Sequence, residues 1–139
     1  MRNDDTISSP YWALRITFGL VPFLAGLDKF LNLLTQWDKY LSPLATRLMP
    51  VNPATAMHLV GVIEMAVGIA ILTRWTRLGS YVAMAWLICI ALNLVLAGYL
   101  DIAVRDLAMS VAAYTLARLS EAKAAAPSQA SSLRPVNAA

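Results

Sequence analysis

The stretch that decides the fold is residues 11–34, which read YWALRITFGLVPFLAGLDKFLNLL. At about 100° per residue, five positions fall on one helical stripe about 80° wide, and the other faces of this helix are almost entirely apolar. These positions are Arg15, Gly19, Pro22, Gly26 and Lys29. Because a bilayer does not solvate a cation, a stripe with two of them must face protein, water or a partner. The pattern therefore predicts the inner face of a transmembrane helix.

The composition indicates a membrane protein independently of this stripe. Of the 139 residues, 59% are hydrophobic and only 14% are charged, and the mean hydropathy is +0.61, whereas soluble domains carry about 25% charge. The formal net charge of +3 comes from scattered basic residues, so we expect no nucleic-acid partner. One histidine and one cysteine cannot assemble a bis-histidine haem, an iron-sulfur cluster or a zinc site from this chain alone.

Four stretches are long and apolar enough for a span, because a bilayer core of about 30 Å requires about 20 mostly apolar helical residues. They are residues 11–34, 54–73, 78–100 and 102–119. We therefore predict an all-α, membrane-embedded four-helix bundle over residues 11–121. A polar N-terminal segment, residues 1–10, precedes it, and a flexible tail, residues 122–139, follows.

The basic residues outside these spans set the predicted orientation. Six fall on one side, namely Arg2, Arg74, Arg77, Arg118, Lys123 and Arg134, and two fall on the other, namely Lys39 and Arg47. By the positive-inside rule both termini are cytoplasmic. The expected location is the bacterial cytoplasmic membrane, with membrane lipids as the immediate surroundings.

The outer loop between the first two spans, residues 35–53, is not uniformly polar. Its apolar residues repeat at helical spacing from Leu41 to Leu48, with Pro43 placed for a first helical turn. This favours a short helix that lies in the outer interface and caps the bundle. An irregular loop that dips into the headgroups is the alternative.

The chain direction brings the polar residues of the spans to one half of the bundle. Lys29, Glu64, Asn93, Arg105 and Asp106 all fall in the outward-facing half or near the middle. Glu64 lies about ten residues from either end of its span, too deep for snorkelling. We therefore predict a ligand or ion-pair network, with Glu64 and Asp106 as the candidate catalytic groups and no metal. A purely structural network is the alternative.

Four glycines predict where helices approach closely. Gly61 and Gly68 share a face with Glu64, within about 60°, and Gly19 and Gly26 lie on the stripe of the first span. Small residues allow close contact between membrane helices. A position opposite Lys29 or Arg105 would give Glu64 an ion pair, which we expect because an unpaired charge in hydrocarbon costs several kcal/mol.

Several of these residues lie in short motifs that resemble the DoxX-like membrane proteins. The motifs are Leu14-Arg15-Ile16-Thr17-Phe18-Gly19, Ala25-Gly26-Leu27-Asp28-Lys29-Phe30, Gly61-Val62-Ile63-Glu64-Met65-Ala66-Val67-Gly68 and the pair Arg105-Asp106. The resemblance covers residues 11–119. It implies a four-helix membrane bundle in a family linked with quinone-dependent sulfur oxidation and membrane redox assemblies. Its polar positions carry over to Arg15, Lys29, Glu64 and Arg105, with Asp106 beside them.

The expected function is that of a small membrane subunit of a larger redox or energy-converting complex, or of a homo-oligomer. Its polar half-bundle would serve assembly or contact with a quinone or bound lipid, and no covalent cofactor is implied. One alternative is a quinone-reactive oxidoreductase component, in which Glu64 or Asp106 exchanges protons and Lys29 or Arg105 stabilises anionic charge. Its electrons would come from a partner. A small transporter or channel is the other alternative.

Overall fold

The computed structural model describes the backbone of residues 2–132 and the side chains of residues 6–125. This part of the chain is all-α, which confirms the predicted class, and contains no strand. Its elements are α1 (Arg2–Leu31), a 3-10 turn (Trp37–Tyr40), α2 (Pro43–Leu48), α3 (Pro53–Leu72), α4 (Thr76–Ala97) and α5 (Leu100–Ser132). The four long helices contain most of the four predicted spans, in the predicted order.

Two helices end three residues earlier than the sequence predicted. The first span was expected to reach Leu34, but α1 ends at Leu31 and the next residue, Asn32, has a φ of 50°. The third span was expected to reach Leu100, but α4 ends at Ala97, where Gly98 takes a left-handed conformation with a φ of 87°. Glycine adopts this conformation without the steric cost of a Cβ atom, which explains the stop.

Both ends of the chain are more helical than predicted. Helix α1 already begins at Arg2, within the segment expected to precede the first span. Helix α5 continues to Ser132, so the tail predicted to be flexible from Ala122 is helical as far as the structure describes it. The alanines after Glu121 explain this extension, because alanine has the highest helix propensity. The rest of the predicted tail, residues 133–139, lies outside the described residues.

The outer loop contains the predicted short helix. Pro43 is in the first turn of α2, and the Ser42 hydroxyl accepts a hydrogen bond from the Ala45 N–H at 3.1 Å. Helix α3 begins in the same way, with Asn52 as its N-cap and Pro53 in its first turn. A proline early in a helix lacks only an N–H that would have no partner there, so both starts are stable.

The four long helices pack as two close pairs, α1 with α3 and α4 with α5. The contacts between the pairs are sparser. In the α1–α3 pair the predicted packing glycines lie against each other, Gly19 beside Gly68 and Gly26 beside Gly61. A methyl group on Gly61 would lie 2.5 Å from the Gly26 carbonyl oxygen. Because these glycines have no side chain, the two antiparallel helices approach closely at these positions, and this close approach sets their register.

Two clusters of buried apolar residues border the space between the pairs. One cluster joins all four long helices near Tyr11, Phe18, Val67, Ala83 and Leu116. A second, smaller cluster joins α4 to α5 around Ala91, Leu94 and Ala103, with Tyr40 of the loop packed on it. The space between these clusters is the candidate site.

Two helices, Pro53–Leu72 and Thr76–Ala97, are long and apolar enough to cross a membrane. This finding concerns length and composition alone, and it suggests a membrane protein. The other two long helices carry more charge within their apolar stretches, Arg15, Asp28 and Lys29 in α1 and Asp101, Arg105, Asp106 and Arg118 in α5.

Candidate functional site

A buried ion pair joins the first close pair of helices. The Lys29 Nζ atom of α1 lies 2.6 Å from the Glu64 Oε2 atom of α3. Only 4% of Lys29 and 8% of Glu64 are exposed. The backbones approach closely here because Gly61 lies one helical turn before Glu64 and faces the Lys29 Cβ atom. This is one of the two pairings that the sequence predicted for Glu64.

The ammonium group of Lys29 also has an aromatic neighbour. Its Nζ atom lies 3.8 Å from the centroid of the Trp37 ring in the outer loop. A cation over an indole face is stabilised by about 0.5–2 kcal/mol, and more so when water is excluded. Lys29 is therefore held by a carboxylate on one helix and by the loop that covers it.

A cavity of about 560 Å³ lies between the two helix pairs and beneath the outer loop. All five residues of the predicted network line it, namely Lys29, Glu64, Asn93, Arg105 and Asp106. The rest of its wall is mostly apolar, with side chains such as Val21, Met57, Leu87 and Ile90. The size falls in the range of about 300–1,000 Å³ typical of small-molecule sites, as does the combination of apolar walls with few polar groups.

Two of the charged residues in the cavity form neither a hydrogen bond nor an ion pair with a described residue. Asp106 is only 8% exposed, yet none of the described residues donates a hydrogen bond to its carboxylate. Arg105 lies next to it in sequence, is exposed, and forms neither a hydrogen bond nor an ion pair with the part of the chain that is described. The predicted alternative partner of Glu64 is thus free to contact a ligand.

Trp86 is a further cavity residue, and we did not predict it as a site residue. Its Nε1 atom is buried and donates no hydrogen bond within the described structure. Buried N–H groups nearly always have an acceptor, so the Trp86 indole N–H is an unsatisfied donor on a residue that lines the cavity. The available signal was the seven-residue step from Gly79 through Trp86 to Asn93, which places the last two on one face of α4.

Asn93 lines the cavity, as the other predicted residues do, but its side-chain partners belong to the outer loop and not to the ion pair. Its side-chain oxygen accepts a hydrogen bond from the Ser42 N–H at 2.9 Å, and its amide nitrogen donates to the Tyr40 carbonyl at 2.8 Å. Both partners are backbone groups of the outer loop. Asn93 therefore ties the roof of the cavity to α4, and its contribution to the site is to hold the loop in place.

Asp28 has a similar structural role at the end of α1. It is 5% exposed, and its carboxylate accepts hydrogen bonds from the Leu33 and Leu34 N–H groups and, at 2.8 Å, from Trp37 Nε1. These bonds stop the helix before Leu34 and position the indole over Lys29. The acidic residue beside a predicted ion-pair lysine was the only sequence signal for this role.

Arg15 lies at the other end of the predicted stripe and is remote from the cavity. Its guanidinium donates hydrogen bonds to the carbonyl oxygens of Ile71, Leu72 and Thr73, at 3.0, 2.9 and 2.6 Å. These are the carbonyls of the last two residues of α3 and of its C-cap, Thr73, which have no partner within the helix. A cation is favourable at this negative helix end. Arg15 thus joins α1 to α3 instead of contacting a ligand.

No family model, no curated protein and no solved structure matches this chain. The chemistry of the site therefore follows from its own residues. The described part of the chain contains no group of three or more histidine, cysteine, aspartate or glutamate residues arranged around a metal position. The cavity offers instead N–H donors, two carboxylates and an apolar wall, a set suited to an uncharged ring with polar oxygens.

Proposed function

We propose that this chain is a DoxX-like integral membrane protein whose four long helices span the bilayer and whose central cavity binds a quinone. The distribution of side chains supports the membrane part of the proposal. Charged residues such as Lys29, Glu64 and Asp106 are buried, whereas large apolar residues on all four helices are exposed. Examples are Leu24, Leu59, Leu92 and Val104, each more than half exposed. Contact of such a large apolar surface with lipid is favourable, whereas its contact with water is not.

The charge distribution supports an orientation with both termini in the cytoplasm. Arg74 and Arg77 lie at the turn between α3 and α4, at the same end of the bundle as Arg15 and Arg118. The outer loop at the opposite end carries Lys39 and Arg47. The excess of arginine at the first end favours its placement on the cytoplasmic side of a bacterial membrane.

The cavity is the observation that carries the quinone proposal. A quinone is a flat apolar ring with two carbonyl oxygens, which require hydrogen-bond donors. Among the side chains that the structure describes, the Trp86 indole N–H and the Arg105 guanidinium have no acceptor, and the cavity is large enough for the ring. A lipid headgroup is the competing occupant, but a phosphate would need more than the one free cation, Arg105, that the described cavity wall offers.

The buried carboxylate of Asp106 favours reduction of the bound quinone over binding alone. Reduction of a quinone to a quinol takes up two electrons and two protons. Asp106 is buried at the cavity wall and accepts no hydrogen bond from a described residue, so its carboxyl group would be free to exchange a proton with a ring oxygen. Arg105 is placed to stabilise negative charge that develops on the ring. The electrons would come from a larger membrane complex, because the sequence offers no second redox centre.

This proposal is tested by measuring the quinone that stays with the protein when it is extracted from the membrane in native lipid discs. Liquid chromatography with mass spectrometry gives the molar ratio of quinone to chain. We expect enrichment over the surrounding lipid in the wild type and loss of this enrichment in Trp86→Phe and Asp106→Leu. Trp75→Phe, remote from the cavity, is the matched control. Equal quinone content in all four preparations would contradict the proposal.

A further inference from the structure

A second polar feature lies far from the cavity, at the turn between α3 and α4. An open cleft of about 340 Å³ is lined there by Arg74, Trp75, Arg77 and Leu78. All four residues are exposed, and Trp75 and Leu78 are each 53% exposed. Neither arginine forms a hydrogen bond or an ion pair with any residue whose side chain the structure describes. Two guanidinium groups without a described partner thus lie beside the apolar side chains of Trp75 and Leu78.

The negative groups that the described residues place at this end of the bundle are already paired. The last carbonyls of α3, which precede Arg74, accept hydrogen bonds from the Arg15 guanidinium. The carboxylate of Glu121, at the same end of the bundle, is paired with Arg118 and accepts a hydrogen bond from the Tyr81 hydroxyl at 3.0 Å. Arg74 and Arg77 therefore keep their positive potential for a partner from outside.

We infer that this cleft binds the phosphate group of an anionic phospholipid. Guanidinium groups bind phosphate through paired, charge-assisted hydrogen bonds, and two of them provide a site for one headgroup. Trp75 and Leu78 offer an apolar surface beside these groups for the glycerol backbone and the first acyl carbons. The inference rests on the proposed membrane placement but is independent of any ligand in the cavity.

The test is native mass spectrometry of the full chain in detergent, titrated with phosphatidylglycerol or with phosphatidylcholine. We expect the wild type to retain phosphatidylglycerol preferentially. The double variant R74Q/R77Q loses about tenfold in this affinity, the effect of losing one to two charge-assisted hydrogen bonds. The matched control is K39Q/R47Q, which removes the same charge from the outer loop and keeps the preference. Equal retention by R74Q/R77Q and wild type overturns the inference.

Three further measurements separate the sources of failure. If inorganic phosphate alone displaces phosphatidylglycerol at equal molar concentration, the site recognises free phosphate and the lipid assignment is wrong. If R74Q/R77Q fails to fold, the charge-keeping variant R74K/R77K replaces it, and unchanged phosphatidylglycerol retention there contradicts a bidentate guanidinium site. Extraction of the wild-type chain from membranes by alkaline carbonate would refute the membrane placement itself, whatever the lipid titration shows.

Discussion

At the scale of single residues, Lys29 connects α1 to α3 and to the outer loop. Its ammonium group is paired with Glu64 on α3 and lies over the Trp37 ring of the outer loop. Its neighbour Asp28 holds that same indole in position through a hydrogen bond. An isolated cation at this depth would cost several kcal/mol. These contacts therefore fix both the helix pair and the loop above the cavity.

The ion pair predicts a characteristic pattern of stability losses. Lys29→Met leaves the Glu64 carboxylate buried without its partner, and Glu64→Leu does the same to the ammonium group. We expect each single variant to lose about 3–5 kcal/mol in the free energy of unfolding. The double variant Lys29→Met/Glu64→Leu removes both charges and should lose much less than the sum. Unfolding of the purified protein by sodium dodecyl sulfate in mixed micelles measures these free energies.

A second, exposed ion pair provides the control for this double-mutant cycle. Arg118 and Glu121 lie one helical turn apart on α5, and the arginine side chain is 59% exposed. Surface pairs of this type contribute about 0–1 kcal/mol, so Arg118→Met and Glu121→Leu should each have a small effect. Additive losses in the Lys29–Glu64 cycle would contradict the buried-pair account.

The sequence predicted the residues of this pair but not all of their surroundings. The helical stripe from Arg15 to Lys29 and the depth of Glu64 were sufficient to predict an inward-facing cation and carboxylate. Asn93 was assigned to the same network, whereas it binds the backbone of the outer loop. Its partners belong to an irregular segment, and no periodicity reveals where the backbone groups of such a segment lie.

At the scale of helices, the α1–α3 contact depends on glycine at two levels. Gly26 lies against the carbonyl of Gly61, and Gly68 lies against the carbonyl of Gly19. Since the neighbours are backbone atoms, they cannot move aside as a flexible side chain would. The same register brings Lys29 to Glu64 and Arg15 to the end of α3.

Gly26→Ala tests this contact, because alanine normally stabilises a helix relative to glycine by about 0.5–1 kcal/mol. Here the added methyl group would collide with the Gly61 carbonyl oxygen. We expect a net loss of about 1–3 kcal/mol, typical of overpacking, measured as the free energy of unfolding. The control variant Ala66→Leu adds a larger group to the exposed face of α3. It should change the free energy of unfolding by less than about 0.5 kcal/mol. A stabilised Gly26→Ala variant would exclude this packing.

Helix boundaries were harder to predict than helix existence. The length of the hydrophobic stretches predicted the four long helices, and the position of Pro43 predicted the short helix in the outer loop. The end of α1 depends on Asp28, whose carboxylate binds two N–H groups beyond the helix, a tertiary arrangement that composition does not encode. The helical extension after Glu121 arises where local alanine propensity outweighs the polar character that suggested a flexible tail.

At the scale of the whole molecule, two close helix pairs enclose a cavity that neither pair would form alone. The α1–α3 pair contributes Lys29 and Glu64, and the α4–α5 pair contributes Trp86, Arg105 and Asp106. The sequence predicted that these charges converge, but it could not distinguish tight side-chain pairing from an open space. The sparse contacts between the pairs explain why the space remains.

The proposed orientation predicts which surfaces a membrane-impermeant maleimide reaches in whole bacterial cells. In a Cys89→Ser background, Thr46→Cys on α2 should react from outside, because the outer loop faces away from the cytoplasm. Ser9→Cys near the start of α1 should react only after permeabilisation. Both positions are exposed in the structure. Reaction of Ser9→Cys in intact cells, without Thr46→Cys, would invert the proposed topology.

The most direct test of the central claim is a titration of the purified chain with a short-chain quinone, followed by tryptophan fluorescence. Trp37 and Trp86 both line the cavity, so a bound quinone should quench their emission. We predict saturable quenching in the wild type and in Ala13→Phe, which alters an exposed position of α1. Ala25→Phe fills the cavity and should abolish it. Saturable quenching of equal affinity in a folded Ala25→Phe variant would contradict quinone binding in this cavity.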